Sequence, residues 1–458
     1  MGGLNAALSV ATGALSAQEA SLETANNNIA NANTPGYSRE IVDLSSAAST
    51  TSGNVAVGNG VVLNGITSVR DQLIDLRIQQ QTSAQSSASA QNGILASVQT
   101  YFSGSSSTVG SDLSTFFTSL SALSSAPSNV ATRQTVISNA ETLVNQFHAT
   151  SAGLTSIQAG LNTQVSGDVT KINALAAQIA SLNTQVAQQS GPGQNGGIAL
   201  DQRTEFERQL AALTNIAITK TGEGDTITTA AGSPLVVANR SFALSTSAGS
   251  NGLTQVNDSA GTDITTQLSG GDLGGVLQVR DKTVPGFLSQ LDGLANAFAS
   301  ALNTAQGNGY DLTGSSGKPF FNLPSTVTGS AGGITLLLTD GSAIAASSDV
   351  NAPGSNGNVA ALTAVQSTAP AGGLSPTDSF AALVSSVGNA ASQAGTQSTA
   401  LQSSLTQLGN QQSAVSGVSI DEESSNLIRY QQAYEAAAEV VKTIRTLFSD
   451  TINMVSGA

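Results

Sequence analysis

Apolar residues recur in alternating steps of four and three at both ends of this chain. Leu4, Leu8, Ala11, Leu15, Gln18, Leu22, Ala25 and Ile29 keep that rhythm at the start. Ile420, Glu423, Leu427, Tyr430, Tyr434, Ala437, Val441, Ile444, Phe448, Thr451 and Val455 keep it at the end. This period holds a narrow apolar stripe on one side of a helix, as in coiled coils. A stripe so thin does not stabilise an isolated helix in water. Each therefore predicts a partner helix, and the nearest candidate is the stripe at the opposite end. Until they dock, segments 1–40 and 415–458 are expected to be frayed, because few large apolar groups offset their ordering entropy.

Between the ends the pattern predicts alternating helical and β text. The first helix stops at Asn33-Thr34-Pro35-Gly36, where proline disfavours helical geometry at Thr34 and Pro-Gly favours a turn. Val-rich runs over 40–69 predict short strands or a hairpin. Helices are predicted over 70–103, from Asp112 to Leu123, and from Val130 to about Gln189, with a break or bend near Ser151-Ala152-Gly153. Ser/Gly text at Gly104–Gly110 and Gly191–Gly197 predicts loops, and Leu200–Leu213 a further helix. From Ile216 to about Val279 the chain reads as a small β domain, which Gly270-Gly271-Asp272-Leu273-Gly274-Gly275 leaves by a tight connection. Helical text resumes over Phe287–Gln306 and Asp378–Val415, separated by Gly/Ser/Pro-rich text with one strand at Ile334–Leu338. The expected fold is mainly α with an inserted β domain: long terminal coiled-coil helices and a central, discontinuous helical bundle. The expected units are 1–40 with 415–458, 41–213 with 284–414, and 214–283.

Composition narrows the functions open to such a chain. Its 458 residues correspond to roughly three domains. Aromatic residues are 4% and charged residues 10%, so cores must come from Leu, Ile, Val and Ala on helices. The formal charge of −14, with no block of Lys or Arg, argues against nucleic acid or an anionic membrane as partner. There is no Cys, hence no disulfide and no thiolate metal site. Met1-Gly2-Gly3-Leu4-Asn5 has neither the basic region nor the apolar run of a secretory signal. No run approaches the ~20 apolar residues of a membrane span. Any export is expected to proceed without a cleaved signal.

No constellation for catalysis, cofactor or metal emerges. His148 is the lone histidine and sits among Leu143, Val144 and Phe147, which predicts packing rather than general-base work. One His without Cys does not supply the ligands of a zinc site. Gly314-Ser315-Ser316-Gly317-Lys318 lacks phosphate-loop spacing, and Pro319 occupies the place of the metal-binding hydroxyl. Ser419 followed by Glu422 predicts a capping box opening the last helix rather than an acidic site.

Three stretches carry a family resemblance. Asn26-Asn27-Asn28-Ile29-Ala30-Asn31-Ala32-Asn33-Thr34-Pro35-Gly36-Tyr37-Ser38-Arg39 resembles the N-terminal signature of bacterial flagellar rod, hook and hook-associated proteins. Ser424 to Ala438, with Leu427-Ile428-Arg429-Tyr430-Gln431-Gln432-Ala433-Tyr434 at its centre, resembles the matching C-terminal signature. Leu268 to Asp281, Gly309-Tyr310-Asp311-Leu312-Thr313-Gly314 with Phe320-Phe321, and Phe116-Phe117 through Pro127 to Arg133 resemble the hook-associated protein 1 family.

That resemblance implies a structural subunit of the junction between hook and filament. Its terminal helices would pair to build the core of a hollow tube, its middle domains facing outward. Implied partners are further copies in a ring, the hook protein, the next hook-associated protein towards the filament, and an export chaperone on the C-terminal helix. The implied location is extracellular, reached through the flagellar type III apparatus. The expected assembly residues are the stripes above, and the family motif falls on Asn31, Asn33, Thr34, Pro35, Gly36, Tyr37, Arg429, Gln432 and Ala433. Two alternatives stay open: another axial protein (hook, distal rod or flagellin), and an adhesin or enzyme carried on the β domain.

Overall fold

A computed structural model describes residues 2–52, 55–103, 107–189, 197–221, 224–369 and 373–456. The chain opens with α1 (Gly2–Asn31) and a hairpin of β1 (Glu40–Ser46), β2 (Thr50–Ser52), β3 (Val55–Val57) and β4 (Val61–Ser68). Three helices follow, α2 (Gln72–Ser103), α3 (Val109–Ser125) and α4 (Val130–Gln188), then α5 (Gly197–Leu213). Six short strands come next: β5 (Ile216–Thr221), β6 (Gly224–Thr229), β7 (Pro234–Val237), β8 (Arg240–Ser241), β9 (Ser245–Ala248) and β10 (Thr254–Asn257). The second helical group is α6 (Gly271–Gln278) and α7 (Val284–Gly307). A loop-rich stretch holds β11 (Phe321–Asn322), α8 (Ser330–Gly333), β12 (Thr335–Leu336) and α9 (Val359–Ala364). The chain closes with α10 (Pro376–Ser416) and α11 (Ile420–Ser456). The fold is thus mainly α with small antiparallel sheets. Most of the loop expected at Gly191–Gly197, and the start of that at Gly104–Gly110, lie outside the described residues.

A single apolar core runs through the body. Phe298 of α7 stands near its centre, with the rings of Phe116, Phe117, Phe147 and Phe321 at centroid distances of 5.3–6.5 Å. Several of these pairs are edge-to-face, the geometry that aromatic quadrupoles favour. The 59-residue α4 is the spine. It continues through Ser151-Ala152-Gly153 without the break that was one of the two outcomes expected there, the other being a gentle bend. Gly153 is small for another reason: a Cβ there would come within 2.2 Å of the Tyr101 ring. The glycine accommodates an aromatic side chain of α2.

The β region lies on α4 and shares its core. Strands β5-β6-β7-β8 form one antiparallel sheet and β9–β10 a separate ribbon. Ile227, Leu235, Val236, Leu244 and Val256 are buried in the same cluster as α4 residues Val165, Ile172 and Ile179. Two asparagines on α4 tie the strands down. Asn173 donates to the Leu244 carbonyl and accepts from its N–H, both at 2.8 Å. Asn183 donates to the Asp225 and Ala238 carbonyls and accepts from the Asp225 N–H.

The expected β text ends earlier than its composition suggested. Gly271–Gln278 is helix, and a π-helical turn, Val279–Thr283, carries it into α7. The glycines misled because they usually mark turns. Here they let backbones touch: a Cβ on Gly275 would lie 2.4 Å from the Ser87 carbonyl oxygen of α2. The stretch after α7 has little regular structure, yet buried side chains of the body pair with its backbone. Arg133 donates to the carbonyls of Gly341 and Ile344, at 3.2 and 2.7 Å. Gln306 donates to the Ala343 carbonyl and accepts from the Ala345 N–H. His148 lies within 2.7 Å of the Ile334 carbonyl oxygen, a packing role.

Where α4 meets α6, Asp168 is fully buried beside Asp272, and Lys171 donates to its Oδ1 at 2.9 Å. Burial lifts the Asp168 carboxyl to about 6, with Lys171 opposing and Asp272 adding to the rise. A carboxyl raised in the folded state from an ordinary 3.8 favours folding fully below the unfolded value. That contribution is lost as pH rises through about 6. Thermal melts between pH 4 and 7.5 should therefore show Asp168→Asn closing the gap to the parent at low pH and gaining relative to it above 6. A parallel pH profile for the two chains would contradict this.

Candidate assembly site

The terminal helices lie against each other along most of their length. They run antiparallel, since the Arg39 N–H, just past α1, donates to the Ser416 carbonyl, just before α11, at 2.8 Å. On α11, Glu423 and Ile444 are buried, while Leu427, Tyr430, Ala433, Tyr434, Ala437, Val441 and Phe448 are half-buried. On α1, Ala11 and Ala25 are buried, and Leu4, Leu8, Leu15, Leu22 and Ile29 are half-buried. Of the stripe at the C-terminal end, Ile420 remains exposed, and the Val455 side chain lies outside the described residues. The Glu422 N–H approaches Ser419 Oγ at 3.4 Å, at the start of α11.

A second face of α1 carries a signal that periodicity alone does not reveal. Ala17, Ser21, Thr24 and Asn28 are buried, on the flank that meets β1 and β4. Small residues set this approach. A Cβ on Gly13 would lie 3.2 Å from the Val61 carbonyl oxygen, and one on Gly60 3.3 Å from Val10. Gly60 also has φ +88, a conformation that favours glycine.

The family-motif turn is a wired corner. α1 ends at Asn31, the Thr34 N–H returns to the Asn31 carbonyl, and the Tyr37 N–H returns to that of Thr34. Gly36 supplies φ +82. Asn33, Thr34, Pro35 and Gly36 are exposed and Asn31 half-buried. Tyr37 folds back so that its hydroxyl donates to Asn28 Oδ1 at 2.8 Å. The same oxygen accepts the Glu40 N–H, and Asn28 Nδ2 donates to the Glu40 carbonyl, each at 2.9 Å. One buried amide thus fixes the angle between α1 and the hairpin. Burial, then Glu40, Asp201 and Glu423, pushes the Tyr37 phenol above its ordinary value, so it stays protonated and able to donate.

A latch joins this corner to the body. The Ser38 N–H donates to Asp201 Oδ2 on α5 at 3.1 Å, and Arg70 pairs with the same carboxylate and reaches Thr204 Oγ1. Burial raises the Asp201 carboxyl, offset by Arg70 and the Ser38 amide. The Arg39–Glu422 pair, at 3.4 Å and largely exposed, adds little. At the C-terminal motif, Arg429 and Gln432 are exposed, and Arg429 lies over the Tyr430 ring at 5.3 Å and donates to Asn426 Oδ1. Asn28, Asp201 and Arg70 were not singled out from the sequence. Asn28 lay within the quoted motif, but nothing in the run Asn26-Asn27-Asn28 distinguishes the buried amide from its neighbours.

Among the described residues, no group of three or more His, Cys, Asp and Glu is placed to hold a metal, and no helix is long and apolar enough to cross a membrane. The terminal pair and the corner coincide with two family matches that define the class, an axial protein of the bacterial flagellum. Residues 8–37 match the flagella basal body rod protein family, and 411–454 match the flagellar basal body rod FlgEFG protein C-terminal family. The helical middle, 95–321, matches the flagellar hook-associated protein FlgK helical domain. Flagellar hook-associated protein 1 of Escherichia coli K12 is 30% identical, the alignment covering 96% of this chain and 98% of the relative. That of Bacillus subtilis 168 is 28% identical, covering 97% of each. The flagellar hook junction protein FlgK of Burkholderia pseudomallei has the same fold, with TM-score 0.67 at 19% identity over 74% of this chain and all of that one. The chain belongs to the flagellar hook-associated protein 1 family.

Proposed function

We infer that this chain is a structural subunit of the junction between hook and filament, assembling through its paired terminal helices. One observation carries the reading: the two ends form a coil whose apolar seam is mostly half-buried in the single chain. A seam left in that state gains from further helices laid beside it, which a ring or helical tube provides. A group of large exposed apolar residues lies on the terminal pair and the elements next to it in the chain: Ile41, Leu44 and Val62 on the hairpin, Leu73 and Leu76 at the start of α2, and Val440, Leu447, Ile452 and Met454 on α11.

The partners follow from position. Copies of the chain form the ring, hook protein lies on one side and the next hook-associated protein on the other. An export chaperone covers α11 beforehand, and the subunit acts at the cell exterior. The role is structural rather than enzymatic. The working units are 1–40 with 415–458 for assembly, 41–213 with 284–414 as the bundle, and 214–283 as the β-rich insertion. Gold-labelled antibody against the body should mark one narrow band at the hook–filament boundary. Label spread along the filament or confined to the rod would contradict the junction role.

A further inference from the structure

We propose that Glu207 and Asp225 share one bound proton, and that this proton fastens the Lys220–Asp225 end of the β5–β6 hairpin to α5. Base removes the proton and frees that end of the hairpin while the helical bundle stays folded. The terminal helices take no part, so the proposal stands apart from the junction role.

Arg203 and Glu207 lie one turn apart on α5, and meet Asp225 of β6 and Asn183 of α4. The four residues are 5%, 4%, 3% and 0% exposed. Arg203 Nη1 donates to Asn183 Oδ1 at 3.0 Å, and the Asp225 N–H donates to the same oxygen at 3.1 Å. Arg203 Nη2 lies 3.1 Å from Asp225 Oδ2, and Nε lies 3.6 Å from Glu207 Oε1. Nε and Nη2 form one edge of the guanidinium, and such an edge pairs with a single carboxylate through two parallel bonds. Here two carboxyl groups crowd onto it. Among the described residues, none of Arg203 Nε, Glu207 Oε1 and Asp225 Oδ2 has a hydrogen-bond partner.

Two buried carboxylates against one guanidinium leave a surplus negative charge, which a protein interior disfavours strongly. One proton removes the surplus and supplies the hydrogen that the two orphan oxygens lack. Carboxyls that share a site behave in this way, one of them holding its proton. The charged groups acting on Glu207 are Asp225 on β6, Arg203 on its own helix and Lys220 on β5. From α4 the cluster meets the neutral Asn183, and α2, α6 and β4 add no charge among the described residues. Lys220 stands opposite Asp225 in the β5–β6 register, yet it is exposed and keeps its charge in water. Burial first, then Asp225, pushes the Glu207 carboxyl up to about 8, with Arg203 and Lys220 opposing. When the proton passes to solvent base, two carboxylates repel across one guanidinium edge. The hairpin end yields, because Lys220 and Thr221 are exposed while α5 is packed against α4 and α2.

Infrared difference spectra of the full chain test the proton itself. At pH 7 the parent should show the carbonyl stretch of a protonated carboxyl that Glu207→Gln lacks, and the band should fade as pH rises through about 8. Asp225→Asn should lose the band as well, because Glu207 then has the guanidinium edge to itself and ionises. No band at pH 7, or a band kept in Asp225→Asn, would overturn the shared proton. Stability gives the sign. From the ordinary 4.5 up to about 8 the folded chain holds a proton that the unfolded chain has lost, so the contribution falls across that window. The parent's melting temperature should therefore drop relative to Glu207→Gln between pH 5 and 8, and the gap should level off above 8. Limited trypsin digestion tests the fastening, since cleavage tracks the population of the open form. At pH 9 the parent should be cut after Lys220 about fivefold faster than Glu207→Gln, and at pH 6.5 equally fast. Equal cutting at both pH values would overturn the fastening. If Glu207→Gln does not fold, Asp225→Asn carries the melting and digestion comparisons with the same expected directions.

Discussion

Ile444→Asp is expected to abolish incorporation into flagella while leaving the body of the chain folded. Among the described residues of α11, Ile444 is the most buried apolar side chain, at 8% exposed. It lies on the seam facing α1, so the substitution removes about 2 kcal/mol of apolar burial. It also places an unpaired carboxylate in the helix interface, a further cost of several kcal/mol unless the group takes up a proton. A loss of about 4 kcal/mol corresponds to roughly a thousandfold weaker pairing. The body does not share this cost, because its core is built from α3, α4, α7 and the β region, remote from the seam. Circular dichroism should show a partial loss of helix, the main melting transition should stay near its parent temperature, and incorporation should vanish. Normal flagella from this variant would refute the seam as the assembly site. Leu15→Asp and Val441→Asp should fall in the same direction with smaller effects, since both side chains are only half-buried.

Arg133→Ala is expected to do the reverse, lowering body stability by about 3 kcal/mol without touching the seam. The Arg133 side chain is fully buried and reaches the carbonyls of Pro127, Gly341 and Ile344. It links the start of α4 to a stretch whose backbone has few ladder partners of its own. Removing it takes the Arg133 donor from the Pro127 carbonyl and leaves the Gly341 and Ile344 carbonyls with only the N–H groups of Ile344 and Ala346, and an oxygen left buried and unpaired costs about 1–3 kcal/mol. For a body of this size the melting temperature should fall by about 4 °C. Burial lowers the guanidinium pKa, with Asp311 opposing, so the charge itself is costly and the bonds are what compensate it. Arg133→Lys should recover part of the loss, because an ammonium reaches fewer of these carbonyls. Below its melting range the alanine variant should still incorporate. Unchanged melting in Arg133→Ala would show that the loop-rich stretch is held by other means.

The two substitutions also mark what was readable in the sequence. The seam was legible because it is a local, repeated pattern: a four-three rhythm needs no knowledge of the rest of the fold. The corner was legible because Pro35 and Gly36 have backbone restrictions that act wherever they stand. Arg133 was less so: the family resemblance reached it, yet an arginine near a helix start gives no hint that its partners lie 208 and 211 residues away. Asp201 was illegible for the same reason, its Ser38 contact spanning 163 residues. Gly270–Gly275 misled in a different way. Glycine lowers helix propensity by about 1 kcal/mol, and the sequence shows that cost but not the close approach to α2 that offsets it. Gly153 is the same case within α4, where the Tyr101 ring takes the space of a Cβ.

The β region was legible in class but not in attachment. Its Thr/Val/Gly text gave short strands, as found. That Leu235, Val236 and Val256 would join the core of α4, with Asn173 and Asn183 reading strand backbone in both directions, depends on which faces meet. The half-burial of the terminal stripes was likewise invisible, although it is the feature from which the assembly role follows.

The central claim is that this chain connects hook to filament through its paired ends. Electron microscopy of cells lacking the chain tests it most directly. The account predicts complete hooks without attached filaments, with flagellin released into the medium. Missing hooks, or hooks carrying normal filaments, would contradict it.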